Sequence, residues 1–299
     1  MSWAALPLES WRDTRDTLQM WMQIAGKICL ARTPRVNHFW NIAFQITPRG
    51  LSTPAMPVMP HAGRTFIMAF DFVAHELAID TSDGAHETIP LRPQTVADFY
   101  QTTMETLRTM GLETRIWTKP VEVPDPIRFE QDVTHRAYDA DAVHRCHDAL
   151  LTMKPVFDDF RAEFIGKCSP LHFFWGGFDL ALTRFSGRPA PERPGADAVT
   201  RESYSHEVIS HGWWPGSGVV NYPAFYAYAA PEPEGFKTAP VLPAAAFYST
   251  EMSIFVLPHE AVRTSATPGA DVRAFLRSTY DAGATLARWD RASLERPKP

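Results

Sequence analysis

The sequence predicts an α+β protein made of two related halves, each with helices and antiparallel strands. Long segments with apolar residues at helical spacing are separated by short segments in which apolar and polar residues alternate, as expected for this fold class. An internal similarity also indicates that the order helix, strands, helix occurs twice. The predicted halves are residues 1–125 and 126–299, joined by a proline-rich linker at about 119–137 and packed with pseudo-twofold symmetry.

Four long helices are predicted from apolar stripes that recur every three to four residues. They cover residues 9–31, 95–110, 139–164 and 271–288. Ser10 is suited to cap the first helix, and Gly111 stands where a C-terminal cap would close the second. Pro155 lacks a backbone donor and therefore predicts a kink or a break in the third helix.

The strands are predicted to be short, because apolar and polar side chains alternate over only a few residues between turns. They cover residues 38–47, 64–72, 76–81, 86–91, 115–118, 172–184, 204–214, 224–229, 244–248 and 253–257. The sequence Ser82-Asp83-Gly84 between two of them is typical of a hairpin turn.

The densest aromatic run of the chain predicts where a site lies. Read as one strand, residues 172–184 place Trp175 and Asp179 on the same face. The pair Gly176-Gly177 between them predicts a bulge, or a close approach by backbone or ligand. We therefore expect this face to form the floor of a small-molecule site. The alternative is a buried aspartate that is paired with nearby backbone or with Arg184.

The internal similarity links residues 26–47 to residues 166–183. The first segment, GKICLARTPRVNHFWNIAFQIT, resembles the second, GKCSPLHFFWGGFDLALT, and their alignment matches His38 with His172. Equivalent positions in two packed halves would bring both histidines near the interface between the halves, where sites commonly lie. In the alternative, each histidine is an inert, hydrogen-bonded core residue.

Three motifs make the chain similar to a known family. They are NHFW at 37–40, HFFWGGFDLALTRFSGR at 172–188 and YSHEVISHGWWPGSG at 204–218. With these motifs the chain resembles a family of bacterial proteins that carry a domain of unknown function, and the resemblance covers nearly the whole chain. It implies a soluble bacterial protein, and it implies no particular activity.

Composition and charge limit the classes of partner and compartment. The formal net charge is -5 and no Lys/Arg cluster occurs, which argues against a nucleic-acid partner. The three cysteines form no CxxC pair and fit a reducing compartment. The N-terminus does not resemble a signal peptide and no apolar run is long enough to span a bilayer, so a cytoplasmic protein without membrane association is expected.

The motifs of several enzyme classes do not occur, and one apparent metal motif has the wrong spacing. In HEVISH at 206–211 the histidines are five residues apart, whereas the HExxH zinc motif needs them four apart on one helix face. A metal site formed by His38, His172 and His206 remains an open hypothesis. There is no GxSxG, GxGxxG or GxxxxGK[ST] sequence, which argues against serine-hydrolase, dinucleotide and P-loop chemistry.

The candidate site residues come from the central aromatic run and from the segment that begins at Tyr204. Acid and base groups are the catalytic candidates: Asp179, Tyr204, His206 and Glu207. The substrate-binding candidates are Trp175 and Trp214, together with Arg184, whose planar fork suits a carboxylate or phosphate.

Three functions are consistent with these residues. The first is an enzyme that acts on a small anionic or aromatic substrate by acid/base chemistry or through a histidine-bound metal. The second is a non-catalytic small-molecule-binding protein, and the third is a structural or interaction module. Convergence of Asp179, His172 and His206 in one cavity favours the enzyme, and separate pairing favours the other two. The sequence indicates no other cofactor and no oligomeric state.

Overall fold

The structure, a computed structural model, describes residues 3–59 and 63–297, and within these ranges it contains seven α-helices and twelve β-strands. The helices are α1 Arg12–Arg32, α2 Val96–Thr109, α3 Ala140–Ala162, α4 Ala198–Ser203, α5 His259–Arg263, α6 Pro268–Leu286 and α7 Arg291–Leu294. The four long helices match the predictions to within three residues at each end. Ser10 does not cap α1, contrary to the prediction, because it belongs to a 3-10 turn, Leu8–Ser10, and Trp11 stands directly before the helix. Gly111 follows α2 with a φ of +70°, which confirms its role at the end of that helix.

The first half of the chain forms a six-stranded antiparallel sheet. Its strands are β1 Gln45–Thr47, β2 Gly50–Ser52, β3 Met56–Pro57, β4 Thr65–Asp71, β5 Glu76–Thr81 and β6 His86–Pro90. They are arranged in the order β1-β2-β4-β5-β6, with β3 paired to β4. Side chains of β4 alternate between buried and half-buried, as a sheet with one covered face requires.

The second half forms a second six-stranded antiparallel sheet. Its strands are β7 His172–Phe174, β8 Asp179–Pro189, β9 His206–Trp214, β10 Ala224–Ala230, β11 Phe247–Ser249 and β12 Ile254–Pro258. Their order is β7-β8-β9-β10-β12-β11. Helices together with two antiparallel sheets confirm the α+β class. The internal duplication stays a prediction.

The two sheets meet at one backbone bridge. Phe44, directly before β1, and Phe173 in β7 exchange two N–H···O=C bonds of 2.9 Å. Beside this junction the indole of Trp175 donates a 2.9 Å hydrogen bond to the Ile42 carbonyl. Trp175 also packs against α1, where a Cβ on Gly26 would overlap with the indole ring. A single hydrophobic core therefore contains residues of both halves.

The segment predicted as a linker runs along α1. Gln23 of α1 makes two hydrogen bonds with the backbone of Val121, and Thr17 accepts one from the amide of Ala137. Residues 115–118 form no strand, contrary to the prediction, because their backbone runs without a partner strand. Within the described residues, each helix lacks the length or the apolar character needed to cross a bilayer.

Two predicted strands have a different structure, and both changes affect the site. Residues 37–42 form a 3-10 turn in which His38 and Phe39 have φ values of 58° and 57°. This turn, and not a strand, carries His38, so its backbone is not equivalent to that of His172 in β7. Residues 172–184 fold back at Trp175–Phe178 into the hairpin β7–β8. Trp175 and Asp179 thus do not alternate along one strand.

Helix α3 continues from Ala140 to Ala162 with Pro155 inside it, so the break that was one of the two predicted outcomes does not occur. Helices α3 and α6 cover one face of the second sheet. There Phe160 of α3 packs edge-on against His211 of β9, and Thr279 of α6 lies within hydrogen-bond distance of the same histidine. The opposite face carries the polar and aromatic groups described next.

Candidate active site

The second sheet has an aromatic and polar face turned away from α3 and α6, called here the tyrosine face. Strand register places successive pairs on it: Ala181 opposite Gly212, Gly212 opposite Tyr226, and Thr183 opposite Ser210. Side chains of the tyrosine face are Asp179, Thr183 and Phe185 on β8, Ser210 and Trp214 on β9, and Tyr226 and Tyr228 on β10.

Asp179 begins β8 and is held by a phenol from β10. The Tyr226 hydroxyl donates a 2.5 Å hydrogen bond to Oδ2 of Asp179. Gly212 belongs to β9, the strand between β8 with Asp179 and β10 with Tyr226. A Cβ at Gly212 would overlap with the Tyr226 ring and the Leu180 carbonyl oxygen. The glycine of β9 therefore provides the space through which the phenol reaches the carboxylate.

A second carboxylate lies across the glycine turn from Asp179. A Cβ on Gly176 would overlap with the Glu122 carboxylate, and a Cβ on Gly177 would lie 2.8 Å from Oδ1 of Asp179 and 3.4 Å from Oε2 of Glu122. Oδ1 of Asp179 and Oε2 of Glu122 are therefore separated by no more than the sum of 2.8 and 3.4 Å. The close approach at the glycine pair is made by the side chains of Glu122 and Asp179, and not by backbone or ligand as predicted. Gln19 of α1 holds the turn through a 2.5 Å hydrogen bond to the Gly176 carbonyl.

The surroundings oppose ionisation of both carboxyl groups. Burial raises the pKa of Asp179 to about 7, the nearby charge of Glu122 acts in the same direction, and the Tyr226 hydrogen bond acts against it. Asp179 as a residue is only half-buried, so water reaches part of it although protein surrounds the carboxyl group. Glu122 as a residue is exposed, but its carboxyl group lies against the glycine turn, and burial there, aided by the charge of Asp197, raises that pKa too.

Further hydroxyl groups lie beyond Asp179 across the tyrosine face. Tyr228 is roughly parallel to Tyr226, with ring centroids 6.1 Å apart, and its hydroxyl is 3.0 Å from that of Tyr204. The Thr183 and Ser210 hydroxyls lie 2.9 Å apart. Burial raises the pKa of Tyr226 and of Tyr228 well above the usual phenol range, so both remain protonated donors at neutral pH.

Residues 190–204, called here the covering segment, lie over the tyrosine face. Asp197 caps α4 within this segment through hydrogen bonds from the amides of Val199 and Thr200. Tyr204 joins the segment to Tyr228 of the sheet, and the Glu202 carbonyl accepts a 3.0 Å hydrogen bond from Nδ1 of His38. Polar contacts therefore tie the covering segment to the sheet at Tyr228 and to the 37–42 turn at His38.

Two of the predicted histidines, His38 and His206, lie in a separate cluster at the far end of the same face. Because the Glu202 carbonyl can only accept, Nδ1 of His38 carries its proton, and Nε2 accepts from the Lys167 ammonium at 2.7 Å. Burial lowers the pKa of His38, and the Lys167 charge adds to this effect. His206 stands edge-on to His38, with ring centroids 5.9 Å apart.

The three candidate metal ligands are divided by a tryptophan. The Trp40 ring lies 5.4 Å from that of His38 and 6.1 Å from that of His172. In the part of the chain that the structure describes, no three His, Cys, Asp or Glu side chains are grouped so that they could hold a metal ion. Burial lowers the pKa of His172 to about 4, so this histidine is neutral at physiological pH.

The remaining candidates occupy three different places. Trp214 lies on the tyrosine face, with its ring centroid 5.4 Å from that of Tyr226. Glu207 points to the opposite side from His206 and pairs with Arg188 at 2.6 Å. Arg184 extends from β8 toward α3, where its guanidinium stacks on Phe160. The tyrosine face thus collects Asp179, Tyr204, His206 and Trp214 but neither Glu207, Trp175 nor Arg184.

Three functional candidates were not identified from the sequence. Tyr226 and Tyr228 had a readable signal, since alternation within the predicted strand 224–229 places both on one face. Glu122 had none, because it lies in an irregular segment and reaches the site through a backbone with a φ of 57°. A left-handed backbone at a glutamate is uncommon and is not encoded in any local pattern.

Comparison with known proteins adds one match. Residues 3–296 match a family of unknown function, DUF5996. No curated protein and no solved structure is similar enough to be a match.

Proposed function

The chain belongs to the DUF5996 family, and we propose that it is an enzyme that transfers protons on a small molecule at the tyrosine face. The observation that carries this proposal is the pair of carboxyl groups around the glycine turn. Both have raised pKa values, and that of Asp179 is about 7. A group with a pKa near the working pH can both accept and return a proton, which is what general acid/base catalysis requires.

Each neighbour has a role in this proposal. Tyr226 holds Oδ2 of Asp179, which leaves Oδ1 on the side of Gly177 and Glu122 as the oxygen that exchanges a proton with the substrate. Glu122 raises the proton affinity of Asp179 through its negative charge. The lack of a side chain at Gly177 keeps the gap between the two carboxyl groups open.

The aromatic side chains support a substrate with a flat or apolar portion. Trp214, Tyr226 and Tyr228 form a continuous wall beside Asp179, with successive ring centroids 5.4 and 6.1 Å apart. Aromatic walls with a few fixed polar groups are typical of small-molecule sites. Tyr204 and Tyr228 supply neutral hydroxyls that orient a polar part of the substrate. The reaction class is a proton transfer at carbon or oxygen, such as an isomerisation, an elimination or a hydration.

The test is exchange of substrate hydrogen with solvent deuterium. Purified protein is mixed in D2O with a panel of small carbonyl and hydroxy-acid compounds, aromatic and aliphatic, and loss of substrate C–H signals is followed by proton NMR. We expect exchange or turnover of at least one compound, reduced by about 100-fold or more in Asp179→Asn. The control is Asp141→Asn, an exposed aspartate in the first turn of α3.

The same experiment distinguishes the other functions. A compound that binds, as seen by saturation transfer, but shows no exchange or turnover would favour a non-catalytic small-molecule-binding protein. Two observations support this second function. One is the aromatic wall, and the other is that Asp179, His172 and His206 do not converge in one cavity but lie in separate surroundings, the outcome that the sequence analysis takes to favour a binding protein or an interaction module. Equal turnover in wild type and Asp179→Asn would contradict the role of Asp179.

A further inference from the structure

A cavity lies on the other side of the second sheet from Asp179, among α3, α6 and α7. Its volume is about 520 Å³, and its polar lining consists of arginines and acidic side chains from these helices together with Arg184 of β8. We refer to it as the arginine cavity. Asp179 and Arg184 project from opposite faces of β8, so the arginine cavity is separate from the tyrosine face.

Arg184 is a buried positive charge that makes no ion pair with an acidic side chain in the part of the chain that the structure describes. Only 1% of the residue is exposed, and its guanidinium lies 3.5 Å from the ring centre of Phe160 and 4.3 Å from that of Tyr280. Nη2 donates to the Phe160 carbonyl, whereas Nε has no hydrogen-bond partner among the described residues. Within residues 3–59 and 63–297, no carboxylate forms an ion pair with Arg184. Burial lowers its pKa to about 10, so the group is still charged at neutral pH.

The acidic side chains of the cavity are engaged by other arginines. Glu163 pairs with Arg277, and Asp281 and Glu295 both pair with Arg291. Arg296 donates to the Ala162 carbonyl. Because the lining has four arginines and three carboxylates, one positive charge is left uncompensated. Among the described residues, Arg184 and Arg296 are the two lining arginines that pair with no carboxylate. Arg296 is exposed to water, whereas Arg184 is buried, so the uncompensated charge that is shielded from water is that of Arg184.

We propose that the arginine cavity binds a small molecule that carries a carboxylate or phosphate group, and that Arg184 contacts this group. A buried charge is strongly unfavourable unless it is paired and hydrogen-bonded, and an oxyanion would satisfy both needs at once. The planar fork of arginine matches the two oxygens of a carboxylate or phosphate. The cavity has the volume of an ordinary small-molecule site.

The surrounding rings make Arg184 suited to this role. Stacking between Phe160 and Tyr280 keeps the guanidinium plane fixed, so little side-chain freedom is lost when an anion binds. The ion pairs at the cavity wall hold the neighbouring carboxylates away from the anion, since Arg291 contacts Asp281 and Glu295 together. Removal of Arg291 would leave these two carboxylates free to repel it.

Isothermal titration calorimetry at constant ionic strength tests the proposal. Inorganic phosphate and citrate are the two probes, and sodium chloride is the reference salt. The variants are Arg184→Lys, which keeps the charge but removes the fork, and Arg291→Gln at the cavity wall. Arg273→Gln is the matched control, because Arg273 also joins α6 to α3, through Asp159, but does not line the cavity.

We expect one of the two probes to bind wild type and to bind at least tenfold more weakly to Arg184→Lys and to Arg291→Gln. Arg273→Gln and Asp179→Asn should retain wild-type affinity, which separates this site from the tyrosine face. Preference for phosphate over citrate would identify a phosphorylated ligand. Preference for citrate over phosphate would identify a ligand with several carboxylates. If Arg184→Lys does not fold, Arg291→Gln decides. Failure of both anions to bind folded wild type, or equal binding by all variants, would overturn the proposal.

Discussion

At the scale of single residues, Asp179 links the stability of the protein to its proposed chemistry. The folded protein holds a proton on this carboxyl group up to about pH 7, whereas an ordinary aspartate releases it near pH 3.8. Between these values the folded state binds more protons than the unfolded chain. The contribution of Asp179 to the free energy of unfolding therefore falls as the pH rises through this window.

Asp179→Asn should remove this dependence. Relative to wild type, the free energy of unfolding of the variant should rise between about pH 4 and pH 7, by on the order of 2 kcal/mol after discounting for the partial exposure of Asp179. Urea unfolding at several pH values measures the difference. Asp141→Asn, which changes an exposed aspartate in the first turn of α3, is measured at the same pH values as the control. A constant difference between Asp179→Asn and wild type across the window would contradict the raised pKa.

Some residues of the candidate site could be predicted from the sequence, and others could not. Asp179, Tyr204, His206 and Trp214 were selected from the sequence. The structure places Asp179, His206 and Trp214 on one sheet face, and Tyr204 in the covering segment, where it contacts Tyr228 of that face. Glu122 was not selected, because its position depends on where an irregular segment crosses a turn distant in sequence. Contacts of this kind arise from tertiary packing and leave no periodic signal.

At the scale of elements, glycines decide how closely strands and helices approach the site. Gly212 lies in the middle of β9, and a side chain there would meet the Tyr226 ring and the backbone oxygen of Leu180. Neither can move freely, because Leu180 is paired within the sheet and Tyr226 is fixed to Asp179. Space at Gly212 is therefore a condition for the Asp179–Tyr226 contact.

Gly212→Ala should destabilise the fold by about 3 kcal/mol, as expected for overpacking beside rigid backbone. It should also displace Tyr226 from Asp179. Chemical denaturation provides the measurement. Gly269→Ala in α6 is the control, since the nearest atom to its new Cβ would be 3.8 Å away in ordinary contact. This control should lose no stability, because alanine is the better helix former. Equal stability of both variants would show that Gly212 is not tightly packed.

The hairpin β7–β8 shows why the central run was misassigned as one strand. The letters of residues 172–184 fit a period of two throughout, and that pattern alone does not reveal the chain reversal at residues 175–178. The glycine pair, which predicted a bulge or a close approach by backbone or ligand, lies in the reversal itself. Similarly, the apolar spacing of NHFW at 37–40 is compatible with a strand and with the 3-10 turn that forms.

At the scale of the whole molecule, the two sheets share a core although each belongs to one half of the sequence. Helix α1 from the first half packs against Trp175 and holds the Gly176 carbonyl of the second half. The Phe44–Phe173 bridge joins the sheets directly. Short segments of alternating side chains predict that each half contains strands. The sequence similarity between the halves does not predict that Phe44 and Phe173 join the two sheets.

We expect the full chain to unfold in a single transition, with tryptophan fluorescence and far-UV circular dichroism giving coincident curves. The isolated halves, residues 1–125 and 126–299, should lack cooperative unfolding, because separation would expose α1 and Trp175 to water. Each half can be expressed and subjected to thermal unfolding separately. A cooperative transition in either half alone, or two transitions in the full chain, would show that the halves are independent.

The most direct measurement of the central claim is a pH titration of the Asp179 carboxyl carbon by carbon-13 NMR, assigned by its loss in Asp179→Asn. We expect a midpoint of about 7 in the folded protein. Glu122→Gln should lower the midpoint by removing a like charge, and Tyr226→Phe should raise it by removing the hydrogen bond that favours the carboxylate. A midpoint near 3.8, unchanged in both variants, would contradict the account, because Asp179 would then be an ordinary ionised carboxylate.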